Sequence, residues 1–397
     1  MSSRLWHYLH SLQIYGRVPA NRVYCVSHQT MTTNITSCPL FSFGVLADVQ
    51  YADIPNRLNF AKTSMRYYRN SIKLVHQAAL TWNQDSRKPS FAVHLGDLID
   101  GFNNREGKAN SEKALRDILT EFDKFDGPVH HILGNHDFYN FTRKELWDSR
   151  LNTTQLTGKV NVEDTTTSHN PTNPPENECG CSNKLYYKFN PHPDFCFVVL
   201  DTYDISGCSH LQQCPHYEEA LKILCAVNKN TGYELNSPTG LEGKERRYVL
   251  YNGGVGKEQL QWLRNVLEEA TRKQQTVFIL DHIPMFGATD QCLLWNYEEV
   301  LETLGEFDCV AAILSGHTHT YNYGEDTNGI RHIIFPGIVE ATPGTNAFAT
   351  IDVYSDYCDI RGYGQMPSFT LRYPVCNKTM GEECTDPTKE TSVQATS

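Results

Sequence analysis

Eight short apolar runs punctuate the chain, at 41–47, 91–95, 129–133, 196–200, 277–280, 310–314, 332–335 and 348–353, each rich in Val, Ile, Leu or Phe. Continuous apolar runs of this length belong to strands buried on both faces. The stretches between them carry a different period. Residues 67–82 set Tyr68, Ile72, Val75 and Ala79 on one helical face, and 257–270 does the same with Leu260, Leu263 and Leu267. A third helix is predicted over 293–304. Strand and helix in alternation give a layered α/β domain with helices covering the sheet. No helical pattern separates the last two runs, which predicts mixed pairing.

Two tracts break this rhythm. Residues 164–183 are polar and rich in Pro, Asn and Thr, which reads as a surface insertion, and 374–397 reads as a polar tail. Residues 1–47 hold no Asp or Glu, while Arg4, Arg17 and Arg22 are basic. That composition fits either a transit-like segment or a dispensable extension with Met31 as an internal start. The expected map is an extension over 1–40, one domain over 41–373 and the tail.

Bulk composition narrows the partners. With 46 acidic against 35 basic residues the formal charge is -11, and no basic stripe suggests nucleic acid. No apolar run is long enough to cross a membrane as a helix. The 13 cysteines are scattered, and Cys179 and Cys181 stand too close for a zinc knuckle. The expectation is mostly reduced thiols in a cytoplasmic protein, or a mitochondrial one if the N-terminal stretch is a transit peptide. Asn34, Asn140, Asn152 and Asn377 each begin a glycosylation triplet, a pattern that also arises by chance.

The residues that follow the strands carry the chemistry. Asp48 and Gln50 follow the first run; Gly96, Asp97 and Asp100 follow the second; Gly134, Asn135, His136 and Asp137 follow the third. Asp281 and His282 follow the fifth, and Gly316, His317 and His319 follow the sixth. In open α/β sheets the carboxyl ends of parallel strands share one edge, where ligands bind. A single Asp after a strand is most often a turn residue. Five strand ends of metal-binding type at once are a different matter. Oxygen and imidazole donors without thiolate suit manganese, magnesium, iron or zinc. The seven donors Asp48, Gln50, Asp97, Asn135, His282, His317 and His319 are too many for one ion. With Asp97 shared, Asp48, Gln50 and His319 complete one position, and Asn135, His282 and His317 complete the other. Two divalent ions exceed the negative charge of Asp48, Asp97 and a hydroxide, so the centre attracts anionic phosphate.

The blocks Asp48-x-Gln50, Gly96-Asp97-x-x-Asp100, Gly134-Asn135-His136-Asp137, His282 and Gly316-His317-x-His319 resemble, in that order, the calcineurin-like metallophosphoesterase family. The resemblance implies a four-layer α/β/β/α sandwich of two mixed sheets with helices outside, and two divalent metal ions per chain. It implies His136 as general acid or hydrogen-bond donor to the leaving oxygen, Asp100 as its orienting partner, and Asp137 as a support for a ligand. Two positions depart from the common pattern. Gln50 stands where many members carry His, and its harder amide oxygen favours manganese over zinc. Asp281 stands where many carry Gly.

Within that family, ADVQYADIP, RYYRNSI, ELNSPTGLE, YNGGVGKEQLQWL and LLWNYEEV are similar to the manganese-dependent ADP-ribose/CDP-alcohol diphosphatases. That similarity implies cleavage of ADP-ribose, CDP-choline or CDP-glycerol to a nucleoside monophosphate and a phosphorylated sugar or alcohol. The expected partner is a small-molecule nucleotide bound by a monomer, with Phe60 and Cys292 flanking the base from two loops at the same sheet edge. The alternatives are another phosphodiesterase, a protein phosphatase, or a non-catalytic scaffold. Scaffolds of this fold tend to lose the acid or a metal ligand, and this chain retains both.

Overall fold

The computed structural model describes residues 38–158, 180, 183–212 and 214–374. Residues 1–37, the tail beyond Pro374, and the 164–183 tract apart from Gly180 and Asn183 lie outside the described residues. The compact unit starts at Pro39. In chain order its strands are β1 (Phe41–Leu46), β2 (Arg57–Leu58), β3 (Met65–Arg66), β4 (Phe91–His94), β5 (Val129–His131), β6 (Tyr187–His192), β7 (Phe195–Val199), β8 (Thr276–Leu280), β9 (Val310–Ser315), β10 (Asn322–Glu325), β11 (Arg331–Ile334), β12 (Ala347–Val353), β13 (Tyr357–Gly364) and β14 (Phe369–Arg372). The helices are α1 (Tyr68–Gln84), α2 (Phe102–Arg105), α3 (Lys108–Phe122), α4 (Asn135–Asn140), α5 (Arg143–Trp147), α6 (Pro215–Val227), α7 (Lys257–Arg272) and α8 (Tyr297–Gly305). Each apolar run of the sequence lies on a strand.

The first sheet has the order β14-β13-β12-β1-β4-β5 and the second β10-β11-β9-β8-β7-β6. β1, β4 and β5 are parallel, extended antiparallel by β12, β13 and β14. β7, β8, β9 and β11 are parallel, with β6 and β10 antiparallel at the edges. Both sheets are therefore mixed. The pair of runs that prompted that expectation, β11 and β12, nevertheless lies in two different sheets. The turn at Ile338–Glu340 carries the chain across, its Ile338 and Val339 N–H groups bonding to the Ala47 and Asp48 carbonyls.

Alternation along the strands builds the layers. Phe43 and Val45 of β1 and Phe91 and Val93 of β4 point between the sheets, against Phe197, Val199, Phe278 and Leu280. Phe43 stacks on Phe91 and meets Phe197 edge-on, each at 5.1 Å between centroids. The opposite faces take the helices. Trp82 of α1 packs on Phe348 of β12, and Phe122 of α3 packs on His94 of β4 and His131 of β5. α7 and α8 pair on the other sheet. The order helix, sheet, sheet, helix is the expected sandwich. No described helix is long and apolar enough to cross a membrane.

Some elements differ from the sequence reading. α3 buries Ala114, Leu115, Ile118, Leu119 and Phe122 at helical spacing, but charged residues between them hide the run. α8 starts at Tyr297 rather than 293, because the Leu294 and Trp295 N–H groups bond to the Pro284 and Gly253 carbonyls instead of a helix ladder. The thiol expectation is corrected at Cys214, which is disulfide-bonded. Cys38, Cys196, Cys208, Cys225, Cys292 and Cys358 are thiols. Spatial proximity, which spacing along the chain does not encode, decides which sulfurs can pair.

Candidate metal centre

The carboxyl ends of β1, β4 and β5 meet those of β8 and β9. His282 Nδ1 lies 2.7 Å from the Leu95 carbonyl, Gly316 N–H bonds to the His282 carbonyl, and His317 N–H donates to the Asp48 carboxylate. The backbone is forced here. Asp48, Gln50, Asp97, His317 and His319 all have left-handed φ, between 41° and 72°. Only Lys62 and Gln274 share that conformation among the other described non-glycine residues. Such conformations cost about 1–3 kcal/mol each and collect where function requires them. Gly96, at φ 101°, packs so tightly that a Cβ there would strike the His282 ring, and one at Gly134 would strike the Asp97 carboxylate.

All seven expected donors converge on this edge. Asp48, Asp97 and His319 place ligand atoms within 4.8 Å of one another and are buried. Gln50 Nε2 is 2.9 Å from both Asp97 Oδ2 and His319 Nε2. His319 Nε2 is 3.3 Å from Asp48 Oδ1, and His282 Nε2 is 3.5 Å from Asp97 Oδ2. His317 Nδ1 is 3.2 Å from His282 Nε2. Asn135 Oδ1 accepts from Tyr203 Oη at 3.1 Å, and its Nδ2 donates to Tyr139 Oη.

The ring partners fit the residues to metal ions. His282 gives its Nδ1–H to a carbonyl and His319 gives its own to Glu340 Oε1, at 2.9 Å, which leaves Nε2 of each as the donor. Gln50 Oε1 is buried with no hydrogen-bond partner, an orphaned acceptor that a cation would satisfy. In the metal-free protein burial alone would lower both rings. Asp97 beside His282 and Asp48 beside His319 outweigh it and hold each up to about 9. His317 is held well below its usual range by burial and by His282. Burial opposes the ionisation of Asp97, but His282, His136 and His317 together hold its carboxyl well below the usual carboxylate range.

His136 stands beside the donors, at the start of α4. Its Nδ1 is 3.1 Å from Asp100 Oδ2 and 3.1 Å from the Gly101 N–H, which leaves Nε2 as the outward nitrogen. Burial works against its charged form, and the Asp100 and Asp97 carboxylates raise it nonetheless. Asp137 is fully buried and accepts the Asp97, Leu98 and Gly134 N–H groups, so it braces the Asp97 turn. Asp281 turns to Ser315, 2.5 Å away. Cys292 follows Gln291, whose carbonyl receives Tyr251 Oη and Asn252 Nδ2. Phe60 stands at the β2–β3 hairpin, 87% exposed. Sequence reasoning missed Asn252, Tyr203, Glu340 and Arg66. Tyr203 follows β7 but is not a carboxylate, amide or imidazole, Arg66 lies on the short β3, and none of the four gives a local sign of what it supports.

A model of the calcineurin-like phosphoesterase family matches residues 41–321, and the chain belongs to that family. It is 41% identical over 336 residues to the manganese-dependent ADP-ribose/CDP-alcohol diphosphatase of Homo sapiens, covering 84% of this chain and 93% of that one. The enzyme of the same name from Arabidopsis thaliana is 41% identical over 332 residues, covering 83% and 96%. The crystal structure of a dimetal phosphatase from Danio rerio superposes with a TM-score of 0.75 at 37% identity, covering 84% of this chain and 99% of that one.

Proposed function

We propose that this chain is a manganese-dependent hydrolase that cleaves the diphosphate of ADP-ribose and CDP-alcohols, releasing a nucleoside monophosphate and a phosphorylated sugar or alcohol. The observation that carries the reading is the set of seven N and O donors brought to one sheet edge, five of them on left-handed backbone, with the His282 and His319 rings oriented by their partners. Asp48, Gln50, Asp97 and His319 would hold one ion, and Asp97, Asn135, His282 and His317 the other. When bound, two such ions lower the pKa of a water between them and neutralise charge on the attacked phosphate.

The protein side chains supply the rest. His136 holds a proton at Nε2, directed away from Asp100, and donates it to the oxygen that leaves the phosphorus. Asp100 fixes the ring and favours its charged form. Arg66 lies 3.8 Å from Asp100 Oδ2 and 3.4 Å from Glu340 Oε1, bracing the carboxylate behind His136 and the one behind His319. The close relatives' names support the nucleotide class, and Phe60 and Cys292 are assigned here as walls for the base.

A panel of ADP-ribose, CDP-choline, CDP-glycerol and a phosphopeptide, assayed with manganese, magnesium and zinc, tests the activity. AMP or CMP should appear, fastest with manganese. Phosphopeptide turnover without nucleotide turnover would refute the substrate class. Stacking a base on an aromatic ring contributes about 1–3 kcal/mol. Phe60→Ala should therefore lower kcat/KM for ADP-ribose about five- to 150-fold and spare a small aryl phosphodiester. Equal losses on both substrates would assign Phe60 to the hairpin, not the base.

A further inference from the structure

Outside the seven donors, the segment 248–256 that leads into α7 carries Asn252. Asn252 is fully buried. Its Nδ2 donates to the Arg247 carbonyl and to the Gln291 carbonyl, both at 2.9 Å. Two carbonyl acceptors on one nitrogen settle the orientation of the amide, so Oδ1 is the atom 3.0 Å from His317 Nε2. An amide oxygen only accepts, so the ring proton of His317 is on Nε2. The unprotonated nitrogen is then Nδ1, which faces His282 Nε2. His282 and His319 are set the opposite way, by a carbonyl and by a carboxylate.

The same loop reaches the second donor of that position. Tyr203 Oη bridges Asn135 Oδ1 at 3.1 Å and the Tyr251 carbonyl at 3.3 Å. The Tyr251 ring lies 5.9 Å from that of His317. Asn135 and His317, two donors of one metal position, are thus both held from residues 251 and 252. Among the described residues, the hydrogen-bond and ion-pair partners of Asp48, Gln50 and His319 lie elsewhere, at His317, Asp97 and Glu340.

We infer that Asn252 is a positioning residue that makes His317 an Nδ1 donor and thereby sets the affinity of one metal position independently of the other. This rests on the two-metal reading above. Through Gln291 the same amide also ties that position to the loop bearing Cys292.

The test compares Asn252→Ala with Asn252→Asp by manganese titration and metal analysis. The aspartate keeps an acceptor for His317 Nε2–H but loses both donations to the loops. The alanine loses all three contacts. In Asn252→Ala one of the two manganese Kd values should rise about 10- to 100-fold, the usual cost of losing a ligand's supporting partner, while the other stays unchanged. Asn252→Asp should keep both Kd values close to wild type even as its melting temperature falls like that of the alanine variant. Equal loss of metal in both variants would make Asn252 a loop staple and overturn the inference. So would wild-type affinity at both positions in Asn252→Ala.

The wild-type protein gives a check that needs no variant. Long-range proton–nitrogen NMR of the metal-free protein should show His317 as the Nε2–H tautomer. Finding Nδ1–H on His317 would overturn the assignment even if neither variant folds. A wild-type chain that binds fewer than two manganese ions would instead remove the reading beneath it, a result visible before any variant is made.

Discussion

His282 and His319 show how single residues prepare this centre. Each is raised to about 9 by a carboxylate against its burial. Near pH 7 each ring therefore carries a proton that a metal ion must displace. A raised pKa favours the protonated metal-free form until pH passes about 9, so manganese affinity should climb as pH rises toward 9. Calorimetry in two buffers of different ionisation heat counts the released protons, and finding none at pH 7 would contradict this. His136 makes a different prediction. It is turned to Asp100 and not counted among the donors. His136→Ala should keep both ions and lose about two to four orders of magnitude in turnover, the usual range for acid–base help. Good leaving groups should suffer less, since they need less protonation. Equal losses across leaving groups would leave His136 a purely electrostatic role.

At the scale of elements, the meeting of α1 with β1 sets how closely helix and sheet approach. Gly44 sits on the outer face of β1, where a Cβ would strike the Trp82 indole. Trp82 is itself wedged against Phe125 and Phe348, so it has nowhere to move. Gly44→Ala should cost about 1–3 kcal/mol, the usual penalty for overpacking. Because Asp48 and Gln50 follow directly on β1, the same change should also weaken manganese binding. Urea denaturation measures the first effect and metal titration the second. An unchanged urea midpoint would mean that α1 shifts freely against the sheet.

For the whole molecule, buried histidines set the acid limit. His130 and His131 of β5 are lowered to about 3, chiefly by burial, and His94 beside them is lowered too, by burial and by His131. His94 has neither ring nitrogen hydrogen-bonded, and His130 and His131 each leave one bare. These rings stay neutral in the folded protein, while the unfolded chain binds protons near pH 6.5. These rings by themselves contribute a term that is flat above about pH 6.5 and falls below it, while His282 and His319, raised when folded, act the other way and stabilise less as pH climbs from about 6.5 toward 9. At pH 5 the loss is about 2 kcal/mol for each of His130 and His131, against a total of about 5–15 kcal/mol for a typical domain. NMR titration of the folded, metal-free protein tests this, and a His130 or His131 ring that takes up a proton between pH 7.5 and 5 without unfolding would contradict it.

The sequence by itself determined eight of the strands, the layered class and the residues proposed here as donors. Each of these is written locally: apolar runs for the buried strands, a 3.6-residue period for α1 and α7, and a ligand type just past each strand. α3, β13 and β14 were less legible because charge interrupts their apolar positions, as it must on elements with one solvated face. Only the tertiary structure decided how the donors are held. Asn252 meets His317 across 65 residues, Glu340 meets His319 across 21, and Tyr203 meets Asn135 across 68. It also decided that Phe60 stands exposed at a hairpin and that Cys214 is oxidised. Which nitrogen of a ring is free, and which sulfurs are in reach, depend on atoms brought together by packing, and the order of residues along a chain does not carry that distance.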